Sequence, residues 1–66
     1  MKISINDVIF ELPENSTLQN ALELRNISPQ GIATALNGTV IPVAARPATP
    51  LADGDRIVII KAFYGG

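Results

Sequence analysis

The chain has no cysteine and no histidine among its 66 residues. Without cysteine no disulfide can staple the fold, and no thiolate is available as a nucleophile. Without histidine the Ser-His and Cys-His arrangements are excluded, and with both absent most zinc sites go too. A free-standing enzyme is therefore not expected. Charge is equally sparse: five Lys/Arg against six Asp/Glu give a net charge of −1. A nucleic-acid binder would show a basic stripe, and none is present. No apolar run approaches the length of a membrane span. Met1-Lys2 leads straight into an alternating pattern, not into the apolar core of a signal peptide, so a cytoplasmic protein is expected. There are no internal repeats.

What remains is a short, apolar chain. Hydrophobic residues make up 47% of it, enough for the core of one small domain over residues 1–66. A chain of this length buries only about 60% of its unfolded surface, so that core must be efficient.

The local patterns are distinct. Lys2-Ile3-Ser4-Ile5 and Val8-Ile9-Phe10-Glu11-Leu12 alternate with the period of half-buried strands. Asn6-Asp7 joins them as a turn, which predicts an N-terminal hairpin. Val8, Phe10 and Leu12 fall on one face, Ile9 and Glu11 on the other. Pro13 ends the second strand because it has no N–H for the ladder. Ser16-Thr17-Leu18-Gln19 has capping-box spacing and predicts a helix over 16–25 with Ser16 as the cap. Leu18, Ala21 and Leu22 form its apolar stripe, Leu24 widens it, and Arg25 lays its stem along the edge. Asn26 is the expected stop.

Asn37-Gly38 supplies the positive φ values of a type I′ turn between Ala33–Leu36 and Thr39–Ile41, a second hairpin. Pro42, Pro47 and Pro50 predict a stiff loop with no regular element. Leu51 anchors that loop to the core. Asp53-Gly54-Asp55 is a turn, and its two carboxylates are too few for a metal. A last strand is expected over 56–63. The order β-β-α-β-β-β predicts an α+β fold. One helix crosses a mixed sheet whose first and last strands lie parallel at its centre.

Two further features point to function. The chain closes on Phe63-Tyr64-Gly65-Gly66. Glycine has no Cβ, so this end can enter a narrow channel and offer its carboxylate to a partner. Extended residues advance ~3.3–3.6 Å each, so Phe63 to Gly66 reaches on the order of 13 Å. The expected site is the Gly66 carboxylate, with Gly65 for clearance and residues 64–66 as a flexible tail. The second feature is the last strand. With Ile57 and Ile59 facing the helix, Val58 and Ile60 face away, on the same side as Ile9. An exposed apolar patch on a small protein marks a binding surface. Tyr64, Phe63, Ile60, Val58 and Ile9 are therefore the expected partner contacts.

The pieces Asn6-Asp7, Leu36-Asn37-Gly38, Ile41-Pro42, Leu51 through Ile57 and Gly65-Gly66 stand in an order and spacing that resemble the β-grasp, or ubiquitin-like, fold. Within it the chain resembles the ThiS family of small sulfur carriers of thiamin biosynthesis. Two departures stand out. Val43-Ala44-Ala45-Arg46 lies where the family commonly has an arginine right after Ile-Pro, and Tyr64 replaces a small residue. The resemblance implies that an E1-like adenylyltransferase uses ATP to activate the Gly66 carboxylate. A persulfide sulfur donor then converts it to a thiocarboxylate, and a thiazole synthase takes the sulfur. The carrier binds no cofactor itself in this scheme and needs neither thiol nor imidazole. Other readings of the same tail are a carrier for molybdopterin synthesis and a conjugated modifier. A non-covalent β-grasp interaction module, with incidental glycines, is the alternative of another class.

Overall fold

Left-handed backbone at asparagine and aspartate makes the two hairpins. In the computed structural model, which describes residues 1–61, Asn6 and Asp7 have φ of 48° and 69°. They join β1 (Lys2–Ile5) to β2 (Val8–Glu11) in a two-residue loop, with Ile5 opposite Val8. Asn37 and Gly38, at φ 50° and 85°, do the same between β3 (Ile32–Leu36) and β4 (Thr39–Ile41). Positive φ at both central positions gives the twist that matches the strands. The last strand, β5 (Arg56–Lys61), lies between the hairpins, parallel to β1 and antiparallel to β3. The sheet order is β2-β1-β5-β3-β4. This is the β-grasp arrangement expected. The expected extension of the last strand to Phe63 lies outside the described residues.

The helix begins one residue later than predicted. α1 spans Leu18–Leu24, capped by Thr17. The Thr17 Oγ1 accepts from the Asn20 N–H at 3.2 Å, and the Asn20 Oδ1 accepts from the Thr17 N–H at 2.9 Å. The box is therefore Thr17/Asn20, shifted by one from Ser16/Gln19. The cause is tertiary. The Leu51 N–H donates to the Ser16 carbonyl and the Leu18 N–H to the Thr49 carbonyl, both at 2.9 Å. Thr17 is thus held extended, bridged to Pro50, and the helix cannot start earlier. The Ser16 hydroxyl turns back instead and donates to the Pro13 carbonyl at 2.7 Å.

The other end stops at Asn26 (φ 55°). The Asn26 N–H reaches the Glu23 carbonyl and the Ile27 N–H the Leu22 carbonyl. This is the Schellman pattern, with the left-handed residue just past the helix. Leu18, Ala21 and Leu22 are buried as predicted. Leu24 does not widen the stripe: at 3.6 residues per turn it lies about 120° around the helix from Leu18, and it stays exposed. Arg25 does lie along the edge, its guanidinium carbon 3.9 Å from the centre of the Phe10 ring.

Residues 43–48 correct a second expectation. They form a 3-10 helix, Val43–Ala48, where the prolines suggested an irregular loop. Pro42 sits just before it, where no N–H is needed. The Thr49 hydroxyl closes the far end by donating to the Ala45 carbonyl at 2.7 Å. This helix carries Arg46 into the interior, 1% exposed. Its Nε donates to the Thr34 Oγ1 at 3.1 Å, Nη1 to the Pro29 carbonyl at 3.0 Å and Nη2 to the Ile32 carbonyl at 2.9 Å. The arginine thus binds the segment after α1 to the start of β3. Together α1 and the 3-10 helix cover one face of the sheet. Ile3, Ile5, Leu12, Leu18, Ala21, Leu51 and Ile57 are the buried core beneath them.

Candidate functional site

β5 is central in the sheet yet has only one covered face. Ile57 is 1% exposed and Ile59 half-buried, while Val58 and Ile60 are 45% and 59% exposed. Strand alternation sends them to opposite sides, and no described element packs on the outer side. The neighbours sharpen this. Val58 stands opposite Ala35, and Ala35 opposite Val40; Ile60 stands opposite Ala33. The alanines are short, so the valines and isoleucine stand above them. Val40, 70% exposed, belongs to this patch and was missed from the sequence. Period-two alternation in Thr39-Val40-Ile41, combined with the register of the Asn37-Gly38 turn, is the signal that could have found it.

Ile9 is on the outer face, as predicted, but not contiguous with that stripe. It pairs with Ser4, and Ser4 with Arg56, so polar side chains separate it from Val58. Arg56 also meets Asp7 at 3.4 Å, with both side chains largely in water, where such a pair contributes little. Val8 lies on the helix side with Phe10 and Leu12 but remains exposed. It borders a groove of about 270 Å³ shared with Phe10, Arg25, Ile27, Ile59 and Lys61.

The end of β5 is secured by a side chain. β1 donates to β5 through the Ser4 N–H to the Asp55 carbonyl and the Asn6 N–H to the Ile57 carbonyl, both at 3.0 Å. Beyond this β1 turns away. The Asn6 side chain then takes over: its Oδ1 accepts from the Ile59 N–H at 2.8 Å and its Nδ2 donates to the Ile59 carbonyl at 3.3 Å. At the other end of β5, Asn37 Oδ1 accepts from the Arg56 N–H at 2.9 Å, and its Nδ2 donates to Asp55 Oδ1 at 3.0 Å.

The acidic pair serves its turn. Asp53 Oδ1 accepts from the Lys2 N–H at 2.6 Å, and Asp55 Oδ2 from the Ala52 N–H at 2.8 Å. Gly54 between them has φ 88°, which glycine adopts without strain. Among the described residues no group of three or more His, Cys, Asp or Glu could hold a metal ion. No described helix is long and apolar enough to cross a membrane. The expected contacts Phe63 and Tyr64, and the expected reacting residues Gly65 and Gly66, lie outside the described residues. The described part brings Val58 and Ile60 to the last turn of β5, directly before that segment.

Comparison with known proteins adds to this geometry. The ThiS family profile matches residues 2–66. The crystal structure of a thiamine biosynthesis protein (ThiS) from Geobacter metallireducens is similar, with a TM-score of 0.83 at 25% identity. The alignment covers 100% of this chain and 99% of that one. An NMR solution structure of a thiamine biosynthesis protein from the same organism gives a TM-score of 0.76 at 23% identity. It covers 100% of this chain and 88% of that one, and shows the shared fold. No curated protein matches the chain.

Proposed function

The chain belongs to the ThiS family, and on that premise we propose that it is a sulfur carrier whose Gly66 carboxylate becomes a thiocarboxylate for thiazole formation in thiamin biosynthesis. One observation carries the reading: the family match runs through residue 66, so it takes in the closing Gly65-Gly66 as well as the β-grasp body.

The chemistry assigns little to the carrier's side chains. A carboxylate is a poor acceptor until it has a good leaving group. A carboxylate oxygen of Gly66 attacks the α-phosphorus of ATP on an E1-like adenylyltransferase, and pyrophosphate leaves. The outer sulfur of a persulfide donor attacks the acyl carbon, and AMP leaves. A second thiol then attacks the donor-side sulfur, forming a disulfide with the donor and releasing the thiocarboxylate. That sulfur is the nucleophile passed to a thiazole synthase. Gly65 gives clearance in the partner's channel. Phe63 and Tyr64 contact its mouth. Val58, Ile60 and Val40 form the apolar surface on which the partner docks, with Ile9 at the margin of the contact. All these steps belong to the cytoplasm.

The test is ATP–pyrophosphate exchange with the E1-like enzyme, followed by intact mass of the carrier. Full-length protein supports exchange and gains a species with one oxygen replaced by sulfur. That species transfers its sulfur to a thiazole synthase. Deleting Gly66, or placing valine at Gly65, abolishes both readouts, because a Cβ narrows the clearance and restricts the backbone. Full-length protein that supports neither exchange nor sulfur loading would leave a non-covalent interaction module as the better account, and loading that persists without Gly66 would refute Gly66 as the reacting residue.

A further inference from the structure

We propose that Asn6 is a positioning residue for the tail chemistry, a side-chain clasp that fixes the point from which β5 hands the chain to its reacting end. The proposal rests on the sulfur-carrier reading.

In the β1–β5 pairing every second residue of β1 donates to β5, Ser4 to the Asp55 carbonyl and Asn6 to the Ile57 carbonyl. The next β5 group on this side is Ile59, and β1 has no further extended residue to meet it. Asn6 is already left-handed, at φ 48°, because it opens the hairpin turn. That conformation aims its short side chain back along β5. Its amide offers an acceptor oxygen and a donor NH2, and each meets one of the two backbone groups of Ile59. The side chain thus acts as one more residue of β1. Aspartate or glycine could make the turn, but the amide supplies a donor and an acceptor on two separate atoms, one for each backbone group of Ile59.

The location gives the clasp its function. Ile59 is two residues before Lys61, the last residue of β5. Its neighbours Val58 and Ile60 carry the docking patch on the outer face. On the β3 side, β5 stays paired up to Lys61, opposite Ile32. Asn6 is therefore the support on the opposite flank. Without it the last turn of β5 is held along one edge only. Fraying of residues 59–61 would release the last three residues of β5, the described residues nearest in sequence to Gly66. It would also loosen the patch that docks beside it. Ordering these residues again on the partner takes up part of the binding free energy, and the looser patch adds to it. Asn6 bonds to Ile59, seven residues before Gly66 in sequence, so its role is to present the chain and not to take part in bond making. The deficit should fall on KM and leave kcat unchanged.

The test uses the full chain and three variants, with amide hydrogen exchange and steady-state ATP–pyrophosphate exchange on the E1-like enzyme. Asn6→Gly keeps the turn conformation and removes both bonds. Asn6→Asp keeps the acceptor for the Ile59 N–H and loses the donor. Asn6→Ala removes both bonds and also strains the turn, so Asn6→Gly carries the result if Asn6→Ala fails to fold. For Asn6→Gly the expected result is Ile59 exchange faster by about tenfold, as for a lost bond of ordinary strength, with Ile57 protection unchanged. KM for the carrier rises about two- to fivefold, from re-ordering the frayed end of β5 and its patch on the partner, and kcat is unchanged. Asn6→Asp restores part of both. Faster Ile59 exchange with an unchanged KM would reduce the clasp to local structure and overturn the proposal. So would unchanged Ile59 exchange, or a loss confined to kcat. If the wild-type chain supports no exchange at all, the sulfur-carrier reading fails first, and the positioning role with it.

Discussion

Replacing Arg46 with alanine should threaten the whole fold, although Arg46 is a charged residue in a proline-rich connection. Its guanidinium is buried and donates to three oxygens. Among the described residues no carboxylate forms an ion pair with it. Removing it leaves the Pro29 and Ile32 carbonyls without these donors, while the Thr34 hydroxyl keeps its bond to the Ile41 carbonyl. Each buried acceptor left unpaired costs about 1–3 kcal/mol, and the lost stem leaves a void. Water that reaches the partly buried carbonyls offsets some of this, as does relief from burying the charge. A net loss of about 3 kcal/mol or more remains. At 0.05–0.15 kcal/mol per residue, a 66-residue domain has roughly 3–10 kcal/mol in all. For a domain this size each 1 kcal/mol shifts the melting temperature by about 4–8 °C, so the expected drop is about 12–24 °C. Circular dichroism melts and urea titrations measure it. Arg46→Met keeps most of the volume without the donors and should fall between wild type and alanine. Arg46→Lys keeps the charge but not the three-way fork and should recover less than half of the loss. An alanine variant melting within about 2 °C of wild type would refute the reasoning. If it then bound the activating enzyme poorly, Arg46 would be a partner contact instead of a clamp.

Leu22→Ala removes a residue 1% exposed at the helix–sheet contact and should cost about 2–5 kcal/mol in urea titration. Thr17→Ala should cost about 1 kcal/mol by loss of the helix cap, whereas Gln19→Ala, outside the observed capping box, should be close to neutral in the same melt. Ile60→Asp should leave the melting temperature nearly unchanged, because the side chain faces water, yet weaken binding to the E1-like enzyme in calorimetry; an unfolded variant would contradict the one-sided sheet. Val40→Asp should weaken the same binding less, since β4 lies two strands from β5.

Much of the architecture was readable because local chemistry and global packing agree. Asn37-Gly38 can hardly be anything but a tight turn, and β3 and β4 lie where it puts them. Alternation in Ile57-Val58-Ile59-Ile60 placed one pair inside and the other outside, as observed. The failures share one cause, which is partners distant in sequence. Ser16 has the composition of a cap, but its carbonyl is taken by Leu51, and the cap passes to Thr17. The prolines between 42 and 50 read as stiff and irregular. The 3-10 helix there is anchored by Arg46 on oxygens of residues 29, 32 and 34, which no local pattern encodes. Ile9 was placed on the correct face, yet only the register with Ser4 and Arg56 shows that polar residues separate it from Val58. The Asn6 clasp was invisible for the same reason: the sequence shows a turn residue, and the bond partner is 53 positions away.

The strand order has a consequence for how the protein is made. β5 is synthesised last of the strands and lies between the two hairpins. A nascent chain interrupted before Arg56 holds two separate hairpins and a short helix. An isolated hairpin is at best marginally stable in water, and a seven-residue helix is below the length that stands alone. No intermediate that stops before Arg56 therefore has the central strand that joins the two hairpins into one sheet. Folding waits for the final segment and then proceeds in one step, because the central strand joins both halves at once. Copies cut short upstream remain unfolded and open to proteolysis. The folded pool is thereby enriched in chains that contain β5.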